Sequence, residues 1–347
     1  MSSVCPSCGE STLAGASFCE ACGHELGDQP AVATGTPSGS SAAHSSCVDC
    51  GADAAEIVDG YCLVCGHKQP GPRDHLAIDL GWVAGVTDKG RRHHQNEDAM
   101  AVTALARAAV AVVCDGVSTT DNPEIASQAA ADAAQAVLVE AVDAGRNLTE
   151  AMGQAVEAAQ AAVVEVPPAA ATEGSPSCTF VAAVLAASGH GGLADLTVGW
   201  LGDSRAYWLG AADELLTIDH NWATDMVASE LLGPDEAAAD PRAGTITRWL
   251  GRDAPTIEPG IVTRRVDALG TLVLCSDGLW NYASEPDELR VLPALGEATS
   301  LARAEALVAF ANEAGGHDNI TVVIAGMGEA ELGGAVGPMA EPGPGAS

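Results

Sequence analysis

Aromatic side chains are scarce, with Phe, Trp and Tyr together making up 3% of the chain. A core must therefore be built from Ala, Val and Leu, and a hydrophobic content of 47% is enough to build one. Lysine is nearly absent: Lys68 and Lys89 are the only two among fifteen basic residues. Basic residues gather no further than pairs such as Arg91-Arg92 and Arg264-Arg265. Set against 47 acidic residues they leave a net charge of −32, which repels nucleic acid and anionic membrane surfaces. No stretch reaches the roughly 18 apolar residues of a membrane helix. The opening MSSVCPSC has neither the basic start nor the apolar stretch of a secretory signal. The expectation is a soluble, cytoplasmic, monomeric protein with no nucleic-acid or membrane partner, whose cysteines do not serve as disulfides.

Those cysteines are concentrated. Eight of the eleven precede residue 66, in four turns that read CPSCG, CEACG, CVDCG and CLVCG. Ten residues separate Cys8 from Cys19 and eleven separate Cys50 from Cys62. Two thiolates spaced C-x-x-C grip one metal ion from a tight turn, and a second pair completes a tetrahedral S₄ site of the structural zinc type. The glycine after each second cysteine suits the left-handed backbone of such a turn. Cys5, Cys8, Cys19 and Cys22 are expected to hold one Zn²⁺ in residues 1–26, and Cys47, Cys50, Cys62 and Cys65 a second in residues 47–70. Sections this small bury too little surface to fold without metal. With almost no basic residues, the double ribbon points to protein contact or regulation. His24 and His67 follow complete four-cysteine sets and are expected on the surface. The Gly/Ser/Ala/Pro segment 27–46 reads as a flexible linker, and the tail 328–347 as disordered.

From residue 76 to 327 the composition becomes that of a folded domain. Apolar runs of strand length occur at 108–114, 178–187, 196–202, 205–209, 271–275 and 320–325. Helices are predicted over 124–142, after Asn122-Pro123 as cap and first helical position, over 149–164, and over 300–314, ending at Gly315-Gly316. The first two helices are consecutive, so strands and helices do not alternate. An α+β arrangement of antiparallel sheets with helices outside fits better than a doubly wound parallel sheet.

Several strands end in a carboxylate: Asp115 after VAVVC, Asp203 in WLGDSR, Asp277 after LVLCS, and Asp318 just before ITVVIA. Glu97 and Asp98 stand in RRHHQNEDAM. A buried strand end is a costly place for a charge unless it meets a cation. Hard oxygen ligands without Cys suit Mg²⁺ or Mn²⁺. Two such ions can clamp a phosphate and activate a bridging water for in-line attack. Alternation along a strand would put Arg91, His93, Gln95 and Glu97 on one face.

The ordered pieces TDKGRRHHQNEDAM, VVCDGVS, SPSCTFVAAVL, GWLGDSRAYWL, LTIDHNWA, ITRWLG, LCSDGLW and GGHDNITVVIA resemble the type 2C metal-dependent protein serine/threonine phosphatases over residues 81–327. The resemblance implies a four-layer α/β/β/α sandwich of two antiparallel sheets. It implies two Mn²⁺ or Mg²⁺ ions, with a third, weaker one in bacterial members. Asp115 would bridge the metals, the Gly116 carbonyl would add a ligand, Glu97 and Asp98 would serve the site, and Asp277 and Asp318 would hold the other ion. Asp203 matches the third-metal aspartate. A phosphoprotein would be the substrate, and a serine/threonine kinase the natural counterpart. The family arginine that grips phosphate is replaced here by His93, so Arg91 or Arg92 would have to assist. Val117 stands where some relatives carry a histidine suggested as general acid, leaving that role to water, His93 or His94. The competing reading is a weakly active or inactive phospho-reader whose working part is the ribbons. An aspartyl-nucleophile phosphohydrolase is disfavoured, because no Asp-x-Asp follows a strand.

Overall fold

The computed structural model describes residues 46–169, 174–188, 193–267, 269–297 and 299–327, together with the backbone of the dipeptide strands Ser3–Val4, Ser11–Thr12, Ala33–Thr34 and Ser38–Gly39. The first four cysteines, His24 and the tail from 328 lie outside the described residues.

Two antiparallel sheets form the domain. Its strands are β1 (His75–Asp79), β2 (Val83–Asp88), β3 (Ala99–Ala104), β4 (Ala108–Cys114), β5 (Phe180–Ala187), β6 (Leu193–Leu201), β7 (Arg205–Leu209), β8 (Gly260–Asp267), β9 (Thr271–Cys275) and β10 (Ile320–Ala325). One sheet runs β8-β6-β5-β4-β3 and the other β7-β9-β10-β2-β1. Three helices cover them: α1 (Pro123–Asp143), α2 (Leu148–Glu165) and α3 (Ser300–Ala314). The expected four-layer α/β/β/α sandwich is what the chain forms.

The period-two alternation of strands divides the interior into three cores. On β4, Ala109, Ala111 and Val113 face the other sheet, while Val110, Val112 and Cys114 face α1 and α2. On β9, Leu272 and Leu274 point between the sheets, while Val273 and Cys275 point to α3. Both faces of these strands are covered, which is why they read as unbroken apolar runs. The helices meet the sheet through small residues, with Ala126, Ala130, Ala134 and Ala141 of α1 all at 0% exposure. Alanine allows close approach, so a core poor in aromatics can still bury its helix faces.

The helix limits match expectation to within a residue or so, but the α1 cap differs. Pro123 opens the helix, yet Asn122 has φ 47° and makes no side-chain cap bond; its amide instead donates to the Pro167 carbonyl at 2.9 Å. The caps of α2 and α3 are ordinary: Asn147 accepts from Glu150 N–H and Thr299 from Ala302 N–H. Within the segment 27–46, Ala33–Thr34 pairs with β3 and Ser38–Gly39 with β1, each at an outer sheet edge.

Candidate active site

Antiparallel pairing decides where the carboxylates go. Cys114 pairs with Ala99, Phe180 with Leu201, Arg205 with Cys275, and Ile320 with Asp88. Residues 97–98 precede β3, 115 follows β4, 203 follows β6, 277 follows β9 and 318 precedes β10. The register therefore delivers all of them to the same end of the sandwich. Two glycines permit the close approach. A Cβ on Gly278 would collide with the Asn319 carbonyl, and one on Gly90, which has φ +73°, with that of Asp318.

The segment between Lys89 and Asp98 is a turn and loop, not a strand. The expected alternation of Arg91, His93, Gln95 and Glu97 on one strand face is therefore wrong. A distant side chain shapes the loop instead. Asn319 accepts from Glu97 N–H at 2.8 Å and donates to the Lys89 and Gln95 carbonyls at 2.8 and 3.1 Å. Convergence is still achieved in part: Gln95 Nε2 donates to Glu97 Oε1 at 3.3 Å, and Ser118 Oγ donates to Glu97 Oε2. His93 Nε2 lies 3.1 Å from Asp318 Oδ1. Arg91 and Arg92 are exposed, and among the described residues neither guanidinium has a hydrogen-bonded or ionic partner.

The aspartates form one electrostatic unit. Asp98 is 1% exposed, and its Oδ2 accepts from Ser276 Oγ at 2.8 Å and Thr321 Oγ1 at 2.7 Å. Burial raises its pKa to about 6, and its carboxyl is within hydrogen-bonding reach of Asp115. Asp115 is pushed well above the usual carboxylate range by burial and then by Asp98, Asp277, Asp203 and Asp318. Asp277 is raised by burial and then by Asp318, Asp203 and Asp98. Asp203 is raised to about 7 by burial and then by Asp219. Protein atoms do not satisfy the cluster: Asp98 Oδ1 and Asp277 Oδ1 are buried without any hydrogen-bond partner. So many desolvated carboxylates, with orphaned oxygens and almost no cation among them, fit divalent metal ions. The carboxylate oxygens spread more widely than a single tight cage. Among the described residues only the four cysteines form a group of three or more whose ligand atoms all lie within 4.8 Å of one another. A wide oxygen set suits ions that keep much of their water.

Supporting residues surround this unit. Thr179 Oγ1 accepts from Asp115 N–H at 3.1 Å, and Thr179 N–H returns a bond to the Asp115 carbonyl at 2.8 Å. Trp280 Nε1 donates to the Asp203 carbonyl at 2.9 Å, while Arg205 stacks on Trp280 at 3.9 Å and pairs with Asp219 at 2.8 Å. His220 Nδ1 accepts from Gly202 N–H at 3.2 Å, just before Asp203. Burial, followed by the Arg248 charge, lowers its pKa to about 4, so the ring is the neutral acceptor this bond requires. Cys114, Cys178 and Cys275 are fully buried core residues. These partners join segments far apart in the chain, so only their placement inside quoted motifs hinted at them.

The second ribbon also assembles. Cys47 Sγ lies 3.7 Å from Cys65 Sγ, and Cys50 Sγ 3.6 Å from Cys62 Sγ. A backbone hydrogen bond from Cys50 helps hold the Cys47 thiol down to about 6, while burial and the neighbouring thiols push Cys65 up to about 12. Four sulfurs gathered this closely fit one tetrahedral ion.

The two-sheet sandwich with carboxylates gathered at one end has counterparts among known proteins. The family model described as Protein phosphatase 2C matches residues 88–313. The chain belongs to that family. Protein phosphatase PhpP of Streptococcus pneumoniae is 36% identical over 130 residues, covering 37% of this chain and 52% of the relative. The chain thus spans about half the length of the first curated relatives it matches. The structure of the Mycobacterium tuberculosis serine/threonine phosphatase PstP superposes with a TM-score of 0.55 at 27% identity, covering 71% of this chain and 97% of that one. A PstP catalytic domain in complex with two manganese ions gives a TM-score of 0.52 at 25% identity, covering 70% and 96%. Among the described residues no helix is long and apolar enough to cross a membrane.

Proposed function

We propose that the protein is a metal-dependent protein serine/threonine phosphatase that hydrolyses phosphoserine and phosphothreonine. One observation carries the reading: Asp98, Asp115, Asp203, Asp277 and Asp318 form a mutually repelling set at one end of the sandwich, with two buried carboxylate oxygens left without partners. Two Mn²⁺ or Mg²⁺ ions there would supply Lewis-acid stabilisation of the phosphoryl group and a water of lowered pKa. Asp115, the Gly116 carbonyl, Glu97, Asp98, Asp277 and Asp318 are the residues to hold them, with Asp203 serving a third ion. The neighbour with two bound manganese ions supports this assignment.

The remaining roles fall to cations and hydrogen-bond donors at the rim. His93, whose Nε2 lies 3.1 Å from Asp318 Oδ1, takes the phosphate-facing role, although it lacks an arginine's two-pronged grip. The exposed Arg91 and Arg92 add the positive charge needed to draw a phosphoprotein to an acidic molecule. Either His93 or water delivers the proton to the departing serine or threonine oxygen. The cysteine clusters hold structural Zn²⁺, one at Cys47, Cys50, Cys62 and Cys65, supported by the gathering of their sulfurs, and one at Cys5, Cys8, Cys19 and Cys22. A cognate serine/threonine kinase and a cytoplasmic setting complete the proposal.

The test is phosphate release from a phosphothreonine peptide by the full chain, with Mn²⁺ and then with EDTA. Metal-dependent turnover that disappears in Asp277→Asn is the expected result. A folded, manganese-loaded protein that binds the peptide without hydrolysing it would make the molecule a phospho-reader.

A further inference from the structure

The second ribbon does not hang free of the catalytic domain. Its exit segment, residues 68–74, runs along the loop that carries His93, Glu97 and Asp98 and bonds to it repeatedly. Lys68 Nζ donates to the His94 carbonyl at 2.9 Å. Asn96 Nδ2 donates to the Arg73 carbonyl at 3.1 Å, and an Arg73 guanidinium nitrogen donates to the Asp98 carbonyl at 3.1 Å. Lys89 Nζ reaches Asp74 Oδ2 at 2.7 Å, and Lys89 N–H donates to the Asp74 carbonyl at 2.7 Å. The loop is thus held at residues 89, 94, 96 and 98. Both lysines of the chain lie on this seam, one contributed from each side.

The other end of the same segment is tied to the cysteine cluster. Gln69 is 5% exposed, and its Nε2 donates to Cys47 Sγ at 3.3 Å while its Oε1 accepts from Val48 N–H at 3.0 Å. Lys68 pairs with Tyr61 across the ribbon. Within residues 47–70 the buried side chains are Cys47, Cys62 and Gln69 alone. The cluster is therefore the only core this ribbon has. Losing its metal removes what orders Gln69, and with it the anchor of Lys68.

We propose that the second ribbon and its exit segment form a zinc-dependent brace for the active-site loop, with Lys68, Gln69 and Arg73 as positioning residues. Occupancy of the four-thiolate site sets how firmly His93 and the neighbouring arginines are presented to the phosphate. The proposal deepens, and in its kinetic part rests on, the reading of the carboxylate centre as a phosphatase site. Loosening the loop at His94 acts on substrate capture more than on the chemical step, since Asp115 and Asp277 are held by other strands and Glu97 and Asp98 keep their own bonds to Asn319, Ser276 and Thr321.

The experiment compares the full chain with Lys68→Met, Lys68→Arg and Cys65→Ser. It reads amide deuterium uptake of residues 89–98 and steady-state kinetics on a phosphothreonine peptide at saturating Mn²⁺. Uptake across the loop is expected to rise in Cys65→Ser and, to a smaller degree, in Lys68→Met. KM should rise by about threefold to tenfold in Lys68→Met with kcat within about twofold, the scale of one lost charge-assisted hydrogen bond. Lys68→Arg should restore both readouts. Unchanged loop uptake in both Cys65→Ser and Lys68→Met overturns the brace, whatever the kinetics show. If the parent chain has no turnover, the phosphatase reading fails, and loop uptake alone decides the brace. If Cys65→Ser loses its cooperative melt, the exposed Lys68→Met and its arginine rescue decide it.

Discussion

The chain carries two metal-binding candidates built by opposite strategies. The cysteine site of the second ribbon draws its four ligands from residues 47–65, brings their atoms within 4.8 Å of one another, and leaves Cys50 and Cys65 exposed. The carboxylate site draws on residues 97–318, spreads its oxygens, and buries Glu97 and Asp98 while leaving Asp115, Asp203, Asp277 and Asp318 partly open. One site is its region's core; the other is a charged defect at the end of a core that stands without it. A local site creates the structure around it, whereas a non-local site is imposed by a fold already paid for by apolar burial.

The largest test of that contrast is to break the non-local site alone. Asp277→Asn should lower kcat on the order of a thousandfold, about 4 kcal/mol of barrier, while leaving one zinc per second ribbon by elemental analysis. A loss of zinc alongside would show that the sites are not separable. The converse change, Cys62→Ser, should remove that zinc and melt residues 47–69, seen as near-complete deuterium uptake there. The sandwich should keep its own cooperative transition and still bind Mn²⁺; a collapse of the whole domain would contradict the division.

A medium effect concerns pH. Asp98 is raised to about 6 and Asp203 to about 7, against roughly 4 in an unfolded chain. Raised carboxyls bind protons more tightly in the folded state. Their stabilisation is complete below the unfolded value and is lost as pH rises through the folded values. The melting temperature of metal-free protein should therefore fall between about pH 5 and pH 8, and Mn²⁺ should reverse most of the fall. A flat profile would mean that the cluster is not the desolvated unit described. The smallest effect is a gain: His93→Arg should lower KM for phosphopeptide by about threefold to tenfold through two-point contact with phosphate. An unchanged KM would show that Arg91 or Arg92 already fills the role.

The same contrast explains what could be foreseen. The second cysteine cluster was legible because all its information is local, in the two turns CVDCG and CLVCG. The strands of β4, β7, β9 and β10 were legible to the residue, because covered on both sides they must be apolar throughout. Strands β1, β2, β3 and β8 were not singled out. AMAVTA and VAGVTD carry weak strand preference and are held by pairing, and β8, GIVTRRVD, is a largely exposed edge. The carboxylates were legible as charges that a buried strand would not otherwise tolerate. The loop before Glu97 was misread as a strand because Asn319, some 220 residues away, decides its path.

Strand β10 lies at the middle of its sheet, between β9 and β2, and Asp318 and Asn319 stand at its head. During synthesis Asp115 leaves the ribosome about 200 residues before Asp318. At ordinary elongation rates that interval is roughly 10 to 40 s. Throughout it the ribbon cysteines are available and zinc can bind, while the sheet has a gap and the Glu97 loop has no Asn319 to shape it. On the proposed reading, a nascent chain can therefore gather its zinc ligands before its carboxylate site is complete, and a product truncated ahead of Asp318 would lack both that residue and Asn319.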